Sequence, residues 1–528
     1  MTNRMLLTLA MAGVLSAATS AVAAPPPGTA PPADWKACDG YGGPSKSGDG
    51  MTTYASALRI FVTATGGDMV RSQTGAGQAG LAACDRALAD PILAPAYWMR
   101  RVSLLQGRAL HQLAANDPRG ALQTLDLAQQ TARPGTELYY PRSLGLSLTY
   151  VRAYALGMMG DRRQAWALAT ESRRWRPYSR QTAIATTVLM GRSGTRADVR
   201  AALQAQARLD PQRIDGLFVE AMEAGRWNEA ITLYPSLSPR LKPANRPMYD
   251  FQEADLNIEN RTTTEVYWAS RSGAYAVALA ETGRVPEARA AIAQARDRVA
   301  RAASAPPDLM VNGKPVKSKW LPNVALRANQ AIGQRGGAAL DRAAYAVEAL
   351  AAGERPQAEI TGPARPLGRP EEELGLLLTT LPGAETMARI PVYAPFHFGP
   401  WVGDKPGYSE KPGPAPGVTT VMYRSSIASP DAVEEMAVMR AADLARQAGR
   451  AGFVILARRD TQHSITNTYY TVPVASFPDG YSTELDVVFV DPQSLPPEFR
   501  ATPWRVIDAE TAFSALARDY PPPVAGRR

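Results

Sequence analysis

Few residues in this chain are of a type and spacing that could do chemistry. The 528 residues hold three histidines, His111, His397 and His463, and two cysteines, Cys38 and Cys84. None of the histidines stands in an HxxxH, HExxH or Cys/His spacing, so no metal site is predicted. GxSxG, SxxK and GxxxxGK patterns are absent, and no cofactor is expected. Gly333 to Gly337 follows a helical stretch and reads as a helix break, not a phosphate cradle. Glu484 and Asp486 would share one strand face, which suits a solvated edge better than a catalytic carboxylate pair.

Two clusters are candidates for binding. The first is Arg173, Arg174, Trp175 and Arg176, followed by Tyr178 and Arg180. Guanidinium and indole groups together hold carboxylates or phosphates and stack on flat groups. Cations at a helix C-terminus are also favoured by the helix dipole, which accounts for the same residues without a ligand. The second is the loop 393–401, with Phe396, His397 and Trp401 among prolines. Aromatic loops of this kind form binding surfaces or cover a sheet with their rings.

The elements that must carry these residues are mostly helical. Residues 1–23 read as a secretory signal: Arg4, an apolar run over 5–18, and Ala21-Val22-Ala23 as a small-x-small cleavage site. That run is too short to span a bilayer, and no later segment is apolar enough. Export to the bacterial periplasm or beyond is therefore expected, where Cys38 and Cys84 can pair in one way only. The net charge of +9 comes from fifty Arg and eight Lys beside abundant Ala, Gly and Pro. That profile matches a GC-rich coding bias, and no nucleic-acid partner is expected. Residues 24–50, rich in Pro, Gly and Ser, read as a tether.

From 51 to 353 the chain repeats one signature. Gly160-Asp161-Arg162-Arg163-Gln164-Ala165 returns as Gly225-Arg226-Trp227-Asn228-Glu229-Ala230 and Gly283-Arg284-Val285-Pro286-Glu287-Ala288, with a looser copy over 116–121. Each joins two apolar helical stretches: 94–114 with 118–132, 142–159 with 162–174, 214–224 with 227–234, and 265–281 with 286–302. Ala153, Ala165 and Pro177 in one copy, and Tyr275, Ala276, Leu279, Ala288 and Ala295 in another, resemble the small and Pro positions of tetratricopeptide repeats. The shared Ala recurs at 121, 165, 230 and 288, intervals of 44, 65 and 58 residues, where that family uses 34. Helices over 179–191 and 196–208 fill the gaps.

Prolines at 356, 363, 366 and 370 mark a linker over 354–383, with a short helix at 371–380. The C-terminal part, 384–528, is expected to be a smaller α/β domain of β-α-β-β order. Strands are predicted at 387–393, 418–427, 453–457 and 481–490. Helices are predicted at 430–449, opened by Ser429 and Pro430, and at 509–518. Within it, Ala437, Arg440, Ala441, Ala442 and Leu444, followed by Gly449, Gly452, Phe453, Ile455 and Leu456, resemble a family of small proteobacterial envelope lipoproteins. The likeness covers residues 419–491. It departs from that family in lacking a lipid-accepting Cys and in being fused to a helical array, and it implies location and fold rather than an activity.

The expected whole is a multidomain protein, a tetratricopeptide-like α-solenoid followed by the α/β domain. Its expected role is a non-catalytic scaffold or adaptor that binds a protein or peptide of the cell envelope through the concave surface of its helical repeats. The alternative is an envelope enzyme, or enzyme subunit, with a site between the domains near His397.

Overall fold

The computed structural model describes residues 32–44, 50–51, 77–133, 139–193, 195–239, 250–304, 309–311, 314–316, 322–354, 370–383, 385, 390–397, 406–469 and 472–520. The expected signal at 1–23, the first part of the strand expected at 387–393, and Trp401 lie outside the described residues.

The helical part contains α1 (Pro32–Asp39), α2 (Gln78–Ala89), α3 (Trp98–Ala114), α4 (Pro118–Thr131), α5 (Leu144–Met158), α6 (Arg162–Ser172), α7 (Arg180–Ser193) and α8 (Arg196–Leu209). It continues through α9 (Ile214–Glu223), α10 (Trp227–Leu233), α11 (Asp250–Glu281) and α12 (Val285–Ser304). After a small hairpin of β1 (Leu309–Val311) and β2 (Lys314–Val316) come α13 (Pro322–Ala331), α14 (Gly337–Ala351) and α15 (Pro370–Thr380). Helices pack in sequential pairs, α3 on α4 through α11 on α12, and each pair leans on the next through α4–α5, α6–α7, α8–α9 and α10–α11.

The repeated signature explains these hairpins. Asn116, Gly160, Gly225 and Gly283 all adopt positive φ, at 60°, 86°, 68° and 81°. Each closes a first helix in the left-handed conformation that glycine tolerates best. The following N–H then turns back onto the helix: Asp117 onto Gln112, Asp161 onto Leu156, Arg226 onto Ala221 and Arg284 onto Leu279, at 2.8–3.0 Å. Asp117 and Asp161 also cap the second helix, accepting from the N–H of Gly120 and Gln164. The alanine ending each copy is fully or almost fully buried one turn later.

Three expectations for this part are corrected. The tether contains α1, which is covalently held: Cys38 and Cys84 form a disulfide with Cα atoms 4.7 Å apart. Trp35 on α1 is packed beside it. The break at 333–337 is instead a π-helical stretch, Ile332–Gly336, that carries α13 into α14. The helix in the linker belongs to the helical core, because Leu374, Leu377, Leu378 and Leu381 join the cluster built by α3–α7. Burying four leucines stabilises that attachment by about 1.5–3 kcal/mol each, an upper estimate.

The C-terminal part holds one antiparallel sheet of β3 (Gly407–Pro412), β4 (Val418–Ser425), β5 (Gly452–Tyr469), β6 (Val472–Val490) and β7 (Ile507–Asp508), in the order β3-β4-β6-β5-β7. Its helices are α16 (Pro430–Gln447), α17 (Pro497–Arg500) and α18 (Ala509–Asp519). The central strands and α16 agree with the pattern in the sequence, whereas β3 and β7 were not expected. β5 runs past 457, the expected end, through Arg458 to His463, where there is no apolar alternation. Residues 390–393 form no strand. α16 lies across one sheet face, meeting Val421, Tyr423, Phe453, Ile455, Leu485 and Val487. Every residue from 431 to 442 is buried, so the expected single apolar stripe is too narrow.

Candidate functional site

α16 starts where the two parts of the molecule meet. Ser429 caps it, accepting from the Ala432 N–H at 3.2 Å, with Pro430 in the first turn. The first two turns carry Asp431, Glu434 and Glu435, all buried. Facing them is the start of α7, whose own cap is Ser179, accepting from the Thr182 N–H at 3.1 Å. The carboxylates of one helix thus meet the N-terminus of another, where backbone donors and the helix dipole favour negative charge. Glu434 accepts from the Arg180 N–H at 2.7 Å, and Asp431 from the Ser179 hydroxyl at 2.5 Å.

Four guanidinium groups close the joint. Arg142, just before α5, pairs with Glu435 at 2.5 Å and also with Asp519. Arg176 pairs with Glu385 at 2.7 Å and Glu435 at 3.2 Å. The Tyr520 hydroxyl donates to Glu435 at 2.5 Å. On β5, Arg458 holds Glu434 at 2.7 Å and Asp460 at 2.8 Å. Arg180 lies 3.4 Å from both Asp210 and Asp460.

Beside this network is a cavity of about 340 Å³. Its helical wall is Gln181 with Leu378 to Leu381. Its other walls are Pro430, Asp431 and Glu434 of α16, and Asp460 to Gln462 with Tyr481 to Thr483 of the β5–β6 ribbon. The volume is within the range of small-ligand sites, and the position between two packed units is a common one for them. Burial pushes the Asp431 carboxyl up to about 6 against the pull of Arg176. It pushes Glu434 up to about 7 against Arg458. Asp460 is also penalised by burial, but Arg458 and Arg180 prevail and hold it low.

The residues singled out from sequence are dispersed. Arg176 has no exposed side chain and is spent inside the joint. Tyr178 is buried in the α/β core and Arg173 is half-buried. Arg174 and Trp175 are exposed, Arg174 pairing with Glu171 at 2.9 Å. In the aromatic loop, the Phe396 N–H donates to the Tyr408 carbonyl at 2.7 Å and the Tyr408 N–H to Ala394 at 2.9 Å. Residues 394–396 thereby cover the β3 edge, with Arg424 over the Phe396 ring, and His397 is exposed. His111 is a structural residue: its Nε2 lies 3.1 and 3.0 Å from the carbonyls of Ala37 and Cys38, so that nitrogen donates. His463 Nε2 lies 2.8 Å from the Ser482 hydroxyl. Strand alternation places that pair on the opposite ribbon face from Asp460 and Thr483.

Comparison of the chain with protein-family models, curated proteins and solved structures finds no match. Among the described residues, no group of His, Cys, Asp and Glu is placed to hold a metal ion, and no helix is long and apolar enough to cross a membrane. Asp431, Glu434, Arg458 and Asp460 escaped the sequence reading because charged residues at a helix start and in a β-ribbon are ordinarily solvated.

Proposed function

We propose that this protein is a non-catalytic adaptor of the bacterial cell envelope, and that it captures a peptide segment of an envelope protein in the cleft between its helical hairpins and its α/β unit. The hairpins are read as a divergent tetratricopeptide-like array. The observation that carries this reading is the cavity built jointly by α7, α15, α16 and the β5–β6 ribbon. Its walls are fixed by ion pairs that cross the joint, and a preformed cleft spends little ordering entropy on binding. Uncharged hydrogen-bonding groups around the mouth suit a peptide backbone.

Photo-cross-linking tests this. A photoreactive residue placed at Gln462 or Thr379, both exposed at the cleft, is expected to trap one envelope protein through a short contiguous segment. The same residue at Tyr345, exposed on α14, should not. Absence of an adduct at both cleft positions would overturn the reading.

One observation favours a second reading, an envelope hydrolase. The Ser482 and His463 side chains are at the separation from which an imidazole takes a hydroxyl proton. A fluorophosphonate probe that labels the protein, but not Ser482→Ala, would establish it. No labelling would remove it.

A further inference from the structure

We infer that the cleft is a receptor for an alkylammonium group, with Asp431 as its anchor. This rests on reading the joint as a binding cleft, and adds the chemistry of what enters. Asp431 is 4 % exposed and lines the cavity. Its Oδ1 accepts the Ser179 hydroxyl, whereas Oδ2 has no hydrogen bond and the carboxylate makes no ion pair among the described residues. The nearby cations are committed elsewhere. Arg176 serves Glu385 and Glu435, and Arg458 and Arg180 serve Glu434 and Asp460. From the other elements at the joint, Arg142 is shared between Glu435 and Asp519, and Arg213 joins Arg180 on Asp210. Asp431, Glu434 and Asp460 line the cavity, and among the described residues no cationic side chain does.

Arg176 attracts this carboxylate without making an ion pair to it, so the cost of burial is only partly offset and the group gains from a proton or a further cation. One free oxygen, in a cavity whose lining also holds Thr379, Gln462 and Ser482, fits a tetrahedral ammonium with three donors. It does not offer the paired oxygens that a planar guanidinium needs. Among the described residues Tyr481 is the only aromatic ring in the lining, too few for an aromatic cage around a quaternary amine. Leu378, Leu381 and Pro430 supply an apolar wall for an alkyl stem. The shared chemistry is met by a lysine side chain of a peptide or by a free diamine.

Calorimetric titration of the full chain decides it, using Nα-acetyl-lysine amide, cadaverine and Nα,Nε-diacetyl-lysine amide as probes. The first two should bind and the third should not. Binding should weaken about tenfold or more in Asp431→Asn, and also in Thr379→Trp, which narrows the mouth without touching the charge. It should also weaken from pH 8 to pH 5 as the proton competes. Cadaverine binding alone would assign the site to free amines, and binding of both would admit peptide lysines. No binding of either amine, or equal affinity in Asp431→Asn, would overturn the inference. A partner trapped at Gln462 whose capture ignores lysine acetylation would leave the adaptor standing without its ammonium site.

Discussion

Arg176 is a guanidinium with no exposed surface, balanced by Glu385 and Glu435. Replacing it with Met would leave two buried carboxylates short of a partner, and we expect a loss of about 3–5 kcal/mol in urea denaturation. The exposed neighbour changed by Arg174→Met should cost less than about 1 kcal/mol. From sequence these two arginines are alike, and only the opposing helix start distinguishes them. A second residue-scale device is the Cys38–Cys84 bridge, whose ends are separated by 46 positions in the sequence. Chain entropy assigns it about 4 kcal/mol, so Cys84→Ser should lower stability by up to that amount. Reduction of the parent protein should reproduce the loss.

At the scale of elements, the hairpin turns depend on left-handed residues. Gly225→Ala places a Cβ at φ 68°, and we expect it to cost about 1–2 kcal/mol, measured by thermal unfolding. Ala230→Leu forces extra methyl groups into a position with no exposed surface and should cost about 1–3 kcal/mol. These turns were legible in the sequence because a left-handed residue, glycine in three of the four copies, and a buried alanine recur in fixed order. The sheet was only half legible. β6 announces itself by alternation at Tyr481, Thr483, Leu485, Val487 and Phe489. β5 does not, since Arg458 and Asp460 point into the joint as an ion pair where a hydrophobe would have marked the strand.

The molecule as a whole is joined across charge as well as across apolar surface. Sequence could not show this, because Arg142 and Glu435 are 293 residues apart and neither has a local partner to betray the pairing. The joint also has a definite pH response. The Asp431 carboxyl is raised from 3.8 to about 6 on folding, so the native state binds the proton more tightly than the unfolded chain. Its effect on stability is neutral in acid and becomes unfavourable as pH rises through that window, reaching about 2–3 kcal/mol above pH 7. Glu434 acts in the same direction, raised from 4.5 to about 7.

Thermal and urea unfolding of the parent chain and Asp431→Asn, compared from pH 4 to pH 8, tests the under-compensated joint most directly. The account predicts that the variant is the more stable at pH 8 and that the difference closes toward pH 4. A variant less stable than the parent at pH 8, or a difference that does not change with pH, would contradict it.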